Sequence, residues 1–481
     1  MRTGGSLRDV ANMTSTDLKR VNIMMKIYFG VFILSIGIYS CAQQGATVRT
    51  EEKDTPWFET ATDDELMDSV QAQTFRYFWD FAEPESGLAR ERFHPNGDYP
   101  MNDSHIVTSG GSGFGVMAIL VGIERGFISR DEGMLRLDQI VDFLEQADRY
   151  HGVWSHWIDG GTGKTKPFSK KDDGGDLVES SFLMTGLLCV RQYCSTENAA
   201  EAELAKRIDR LWHEMEWDWY TQGKNELFWH WSPNYDFDMN FSIHGYNECL
   251  ITFFLGACSP THPLDPAVYH EGWAKSGEII AKDSFLGHAR ILDHYNGNDS
   301  PVGPLFWAHY SYVGLDPRGL GDRYADDYFA LNRNHALIHY DHCVANPHGY
   351  KGYGPNGWGL TSSYSTRRDG KPGVAYTSHR PDKDKGILSP TAALSSMPYT
   401  PQESLQAIKG FYKIGDKLLG PAGFYDAFSE ELDFWPQRYL AIDQGPIIVM
   451  IENYRSGLLW DLFMSAPEVE VGMRKLGFGS N

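Results

Sequence analysis

The 481-residue sequence is poor in positive charge, in paired cysteines and in strand-like alternation. Lys and Arg number 43 against 64 Asp and Glu, a formal net charge of −21. Nucleic-acid binding needs a basic footprint, and none is visible. No C-x-x-C pair occurs. Cys189, Cys194, Cys249, Cys258 and Cys343 fall mostly in apolar stretches, which reads as buried free thiols. G-x-S-x-G and H-E-x-x-H are both missing, so neither a serine elbow nor a zinc helix is expected. No metal and no cofactor are expected. No Pro/Ser-rich linker divides the chain after residue 61, and no short repeat suggests a solenoid. What is abundant is apolar and aromatic: 42% hydrophobic residues, with 14 Trp and 25 Tyr. That supports a large core and, with flat rings to spare, a neutral polar ligand such as a sugar.

The long apolar run near the N-terminus, Ile27 to Ile38, follows Lys26 and ends in "IYSC". It is short for a membrane span and reads as a signal h-region. "IYSC" resembles a bacterial lipoprotein box, which implies lipidation at Cys41 and anchoring to a membrane by lipid alone. Residues 1–23 are unlike an n-region, so translation is expected to begin at Met24 or Met25. A plain cleaved signal or a retained anchor are the alternatives. Residues 42–61 read as a polar tether, and 62–481 as one domain.

That domain reads as all-α. Thr62-Asp-Asp-Glu65, Ser129-Arg-Asp-Glu132 and Thr400-Pro-Gln-Glu403 are three capping boxes. Further helical periodicity covers 113–126, 176–194, 197–218, 246–258, 265–282, 325–340, 404–418 and 446–463. Consecutive helices without a βαβ rhythm fit a shared-core bundle or an α/α toroid. The connections 159–175, 220–245, 295–324 and 341–398 are long and rich in Gly, Asn, His, Trp and Tyr. Loops of that length tend to be functional, and their composition suits a carbohydrate cleft. "DGGTGKT" (159–165) lacks the first glycine of a phosphate loop. "GGSGFG" (110–115) lacks dinucleotide spacing, and "DDGGD" closes too early for a calcium loop.

Acidic residues concentrate at helix entries. In "KDDGGDLVESSF", Asp173 and Asp176 resemble a capping pair, yet Asp172, Asp176 and Glu179 can share one face. Like charges so close are kept when some are protonated, hydrogen-bonded or needed by a ligand. In "GYNECLITFF", Glu248 enters an apolar run beside Tyr246. Lost hydration should raise its pKa, which suits a general acid. In "YLAIDQGPIIVMIENYRSG", Asp443 lies at a helix entry, as an N-cap or a site acid, and Glu452 and Arg455 read as an i,i+3 pair. Glycoside hydrolysis normally pairs a carboxylic acid with a carboxylate base.

The motifs "DDGGDLVESSFLMTGLL", "SIHGYNEC", "YGPNGWGLTSS" and "YLAIDQGPIIVMIENYRSGLLW", in that order, resemble the glucoamylase-like domain of bacterial lipoproteins. Within it they are similar to glycoside hydrolase family 144, the β-1,2-glucanases. The resemblance implies an (α/α)6 barrel whose long loops form the cleft, and inverting hydrolysis of linear β-1,2-glucan or sophoro-oligosaccharides. It implies Glu248 as acid and Asp443 as base, and makes Asp172 (or Asp173), Asp176 and Glu179 cleft acids. Trp231, His335, Trp358 and Tyr376 are expected to bind substrate. A monomer is expected, in the periplasm or cell envelope. An exo-acting glucosidase on another linkage, or an inactive glycan-binding lipoprotein, would fit the same scaffold.

Overall fold

The computed structural model describes residues 55–294, 302–367, 371 and 373–479. The expected signal, Cys41 and most of the tether lie outside the described residues. Thr55 onwards forms one compact unit.

The unit is mostly helical. After a single turn at Trp57–Thr60 come α1 (Asp63–Trp79), α2 (Ser109–Glu124), α3 (Arg130–Gln146), α4 (Leu177–Tyr193), α5 (Ala199–His213) and α6 (Leu250–Cys258). Then follow α7 (Tyr328–Ala345), α8 (Pro390–Leu394), α9 (Pro401–Ile414), α10 (Ala441–Arg455), α11 (Leu458–Met464) and α12 (Pro467–Leu476). Two kinds of helix alternate. α2, α4, α6 and α10 are buried nearly end to end. α3, α5, α9 and α12 bury only one stripe. A helix apolar all round must be enclosed, and an amphipathic one must cover it. An inner set wrapped by an outer set is consistent with an α/α barrel.

The inner helices cross closely because glycine permits it. A Cβ on Gly113 would stand 2.2 Å from Phe182 O, and one on Gly186 2.1 Å from Gly113 O, at the α2–α4 contact. On Gly445 it would meet Phe114 Cβ at 2.3 Å, at the contact of α10 with α2. The glycine run at 110–115 is therefore helix, packed backbone to backbone.

Thr62 and Ser129 make complete capping boxes. Thr400 does not cap α9: its hydroxyl turns back to Ser396 O at 3.3 Å. The 265–282 periodicity does not become an α-helix. A wide, π-type turn at Val268–Trp273 gives way to positive φ at Lys275 and Ser276. Glu452 and Arg455 do not pair with each other. Glu452 takes a two-pronged hydrogen bond from Arg125 at 2.7 and 2.8 Å, and Arg455 reaches Asp68. All five cysteines past residue 54 are free thiols, four of them buried.

Strands among the described residues are at most five residues long. Two matter for the site. The hairpin Ser362–Thr366/Val374–Ser378 sets Tyr364 opposite Tyr376. The short pair Gly175–Asp176/His230–Trp231 sets Asp176 opposite His230.

Candidate active site

The N-terminal ends of the inner helices face one cavity of about 380 Å³, within the range of small-molecule sites. Glu91, Arg92, His156, Trp157, Glu179, Glu248, Tyr310, Tyr364 and Tyr376 are among its lining residues.

The acid cluster at 172–179 divides by partner. Asp176 is the N-cap of α4: its Oδ1 accepts the Glu179 N–H at 2.9 Å. Its Oδ2 lies 3.2 Å from His156 Nδ1 and 3.5 Å from His230 Nε2. Burial opposes its charge, but hydrogen bonds from His156 and His230 hold Asp176 well below the usual carboxylate range. Asp172 Oδ2 lies 3.2 Å from the same His230 Nε2. Burial alone would lower both histidines; the neighbouring carboxylates instead push His156 to about 10 and His230 to about 9. Asp173 faces away, accepting from Ser232 Oγ and, at 2.8 Å, from Asn234 Nδ2. Asp172, not Asp173, thus joins the cluster. Asp172 and Asp176 stand behind the cavity wall, which His156 and Glu179 form.

Glu179 sits one turn into α4, and its Oε2 accepts the Gly110 N–H at 3.0 Å. One inner helix thereby caps another, filling a donor that α2 leaves open. Gly110 leaves room for that oxygen: a Cβ would come within 2.1 Å of it and displace it. Burial raises Glu179 to about 7, against the pull of His156.

Glu248 lies just before α6, where Asn247 Oδ1 accepts the Cys249 N–H at 3.0 Å and turns the chain into the helix. Ser311 Oγ donates to the Glu248 carbonyl. The side chain is left to the cavity. Its Oε2 is sealed from solvent and has no hydrogen-bond partner. Burial pushes Glu248 to about 7, with a further push from the Glu179 and Asp176 charges. A carboxyl in that state is a proton donor near neutral pH.

Asp443, in the first turn of α10, is not the N-cap, a place held by Leu440. It is fully buried and does not line the cavity. Its Oδ1 accepts from the Tyr310 hydroxyl at 3.2 Å, and Tyr310 does line the cavity. Its other neighbour is Asp426, buried in the loop before α10, whose Oδ2 accepts the Tyr364 N–H at 2.7 Å. Asp443 Oδ2 and Asp426 Oδ1 are both buried and otherwise unpartnered. One proton held between them satisfies both atoms. Burial, then the partner's charge, pushes Asp443 well above the carboxylate range; burial pushes Asp426 to about 6. The pair behaves as one unit with one proton.

The remaining expected ligand-binding residues scatter. Tyr376 lines the cavity at its rim and is 54% exposed. Trp358 is fully buried, with Nε1 donating to Glu403 O at 3.1 Å, and is core. His335 is buried behind Tyr246, bonded to its hydroxyl at 3.1 Å and to Gly303 O at 2.9 Å. Trp231 faces a separate groove. Sequence reasoning missed His156, His230, Tyr310 and Asp426. The "WSHWIDGG" stretch carried an aromatic–histidine signal for the first; Asp426 carried none.

His156, Asp172 and Asp176 bring one possible ligand atom each within 4.8 Å of one another. His230 Nε2 stands between the two aspartates and His156 Nδ1 faces Asp176, so a cation there would compete with these contacts.

The family model described as "Putative glucoamylase" matches residues 240–467. An endo-β-1,2-glucanase structure from Chitinophaga pinensis is 59% identical, covering 87% of this chain and 99% of that one, with a TM-score of 0.83. The chain belongs to the glucoamylase-like family, of the glycoside hydrolase family 144 type. An exo-β-1,2-glucooligosaccharide sophorohydrolase of Parabacteroides distasonis is 44% identical over 432 residues. This glucoamylase-like chain aligns over 86% of its own length with that relative but spans only 58% of the relative's. An endo-β-1,2-glucanase of Talaromyces funiculosus is 12% identical, with 88% of this chain and 94% of that one covered and a TM-score of 0.61, a likeness of fold alone.

Proposed function

We propose that this chain hydrolyses linear β-1,2-glucan with inversion, on an (α/α)6 barrel, cutting internally or releasing sophorose. The observation that carries the reading is Glu248: a cavity carboxyl whose Oε2 has no protein partner and whose proton is held to about pH 7. It donates that proton to the departing glycosidic oxygen. Asp443 is the base. The oxygen of a water in the cavity bonds to the anomeric carbon as the glycosidic bond breaks; its proton goes to the Tyr310 oxygen, and Tyr310 passes its own to Asp443 Oδ1, the proton shared in the pair then resting on Asp426. Inversion needs space for that water, about 6.5–9.5 Å between acid and base, and more when a hydroxyl relays the proton. Tyr376 at the rim and Glu179 with His156 in the wall position the sugar; Asp172 and Asp176 hold His156 and His230 in place.

The test is to incubate residues 42–481 with β-1,2-, β-1,3-, β-1,4- and α-1,4-glucans and identify products. Sophorose or longer sophoro-oligosaccharides from the β-1,2-polymer alone support the reading. Glucose from another linkage would point to an exo-glucosidase, and binding without products to a glycan-capture protein.

We also propose that the chain is an exported monomer of a single catalytic domain, anchored by lipid at Cys41. The lipobox-like "IYSC" supports this. Cell fractionation of Cys41→Ala checks it: loss from the membrane fraction is expected.

A further inference from the structure

Trp231 leads to a second groove. The short strand that carries it pairs with Gly175–Asp176. Strand alternation sends neighbouring side chains to opposite faces. His230 therefore turns to Asp172 and Asp176, and Trp231 turns the other way, into an open groove of about 590 Å³. Trp219, Gln222, Glu216, Asp218 and Asp236 share its lining.

Trp219 is 41% exposed, an uncommon place for so large an apolar ring. It is held rigidly. His151 stacks on it at 3.8 Å and 13°, and His151 Nδ1 lies 2.9 Å from Glu216. Trp231 stands at 75° to it, with centroids 6.4 Å apart. The two indoles make a corner, one offering its plane and the other its edge. Rigid, amphipathic rings give contact area at little entropic cost.

The polar lining selects among ligands. Glu216, Asp218 and Asp236 reject anions, and both nearby imidazoles are already engaged: His151 by Glu216 and His262 by Asp218 at 3.1 Å. A cation would find Glu216 and Asp218 already facing those imidazoles. Gln222 adds a side-chain amide to the lining. Carboxylates that accept, an amide that donates and an aromatic corner together match a neutral polyhydroxyl ring.

We propose that this groove is a second glucan-binding site, taking a neutral polysaccharide segment remote from the bond being cut. It rests on the β-1,2-glucanase reading. The strand shared with the acid cluster gives it a rigid connection to the active site. A long chain held there raises the local concentration of substrate at the cavity; a short oligosaccharide gains nothing.

The experiment compares KM for long β-1,2-glucan with KM for the shortest sophoro-oligosaccharide that is cleaved, in the wild type, Trp219→Ala and Gln222→Ala. Each variant is also checked for its thermal melting midpoint. For Trp219→Ala, KM for the polymer should rise about fivefold, roughly 0.7 of a decade in affinity, with the short-substrate KM and kcat unchanged. Gln222→Ala should show the same split to a smaller extent, and it decides the matter if Trp219→Ala melts early. No change on either substrate, or an equal rise on both, overturns the proposal. If the wild type leaves β-1,2-glucan intact, the catalytic reading itself fails. If the wild type cuts and neither variant discriminates by length, only the second site fails.

Discussion

Asp176 and Asp443 are the same side chain in nearly the same setting. Each is fully buried at the start of an inner helix, close to the positive end of its dipole. Yet Asp176 is held well below the usual carboxylate range and Asp443 well above it. Neither burial nor the dipole accounts for opposite shifts. The neighbours do. Asp176 faces two imidazoles, His156 and His230; Asp443 faces a second carboxyl, Asp426, and a phenol, Tyr310. One flank of the site therefore holds fixed, paired charge that shapes the wall. The other holds exchangeable protons. The difference suggests positioning chemistry on the first flank and proton transfer on the second; Glu248 belongs to the second because its Oε2 has no partner, whereas Glu179, raised as far, is tied to the Gly110 N–H and faces His156.

That contrast can be broken by substitution. Glu248→Gln keeps shape but removes the proton; kcat on β-1,2-glucan should fall by about 10²–10⁴ with glucan affinity retained. Turnover at the parental rate would remove Glu248 from the mechanism. Asp443→Asn should cost about as much in kcat, whereas a loss below tenfold would exclude it as base. His156→Ala attacks the paired flank. It removes a hydrogen-bond donor of Asp176 and the main counter-charge of Glu179, and losing one partner of a buried pair costs about 3–5 kcal/mol of stability. Denaturant unfolding measures this, and an unchanged midpoint would mean that the charges there are not buried as described.

The pH profile of kcat/KM separates the flanks more gently. Glu248 must be protonated to act, so the rate should fall as pH rises through about 7. The Asp426–Asp443 pair must hold one proton rather than two, so the rate should also fall on the acid side. Asp426→Ala removes the group sharing a proton with Asp443 Oδ2, which makes the Asp443 anion costlier. The acid limb should move up in pH and narrow the optimum; Asp426→Asn, which can still donate, should move it back. An acid limb that ignores both changes would show the two carboxyls to be independent.

Much of this was legible locally. Capping boxes at Thr62 and Ser129 are four-residue patterns, and the structure has both. The apolar run after Glu179 announced a buried helix, and Glu248's entry into "CLITFF" announced a desolvated acid. The failures are non-local. His230 meets Asp176 through a two-residue strand pair bridging more than fifty positions, for which no periodicity exists. Asp426 gains meaning only when its loop folds against α10. Trp358 and Trp231 came from similar aromatic loops; composition does not tell a ring packed beneath Glu403 from one turned to solvent. Thr400 has the letters of a capping box, but its hydroxyl finds a closer acceptor in the preceding turn.

The contact between Gly110 and Glu179 has a practical corollary. A single methyl group at 110 would collide with a carboxylate that both ends one helix and borders the cavity. Damage to catalysis and damage to the scaffold would arrive together from that one change. Anyone varying this protein should therefore expect position 110 to be closed to drift.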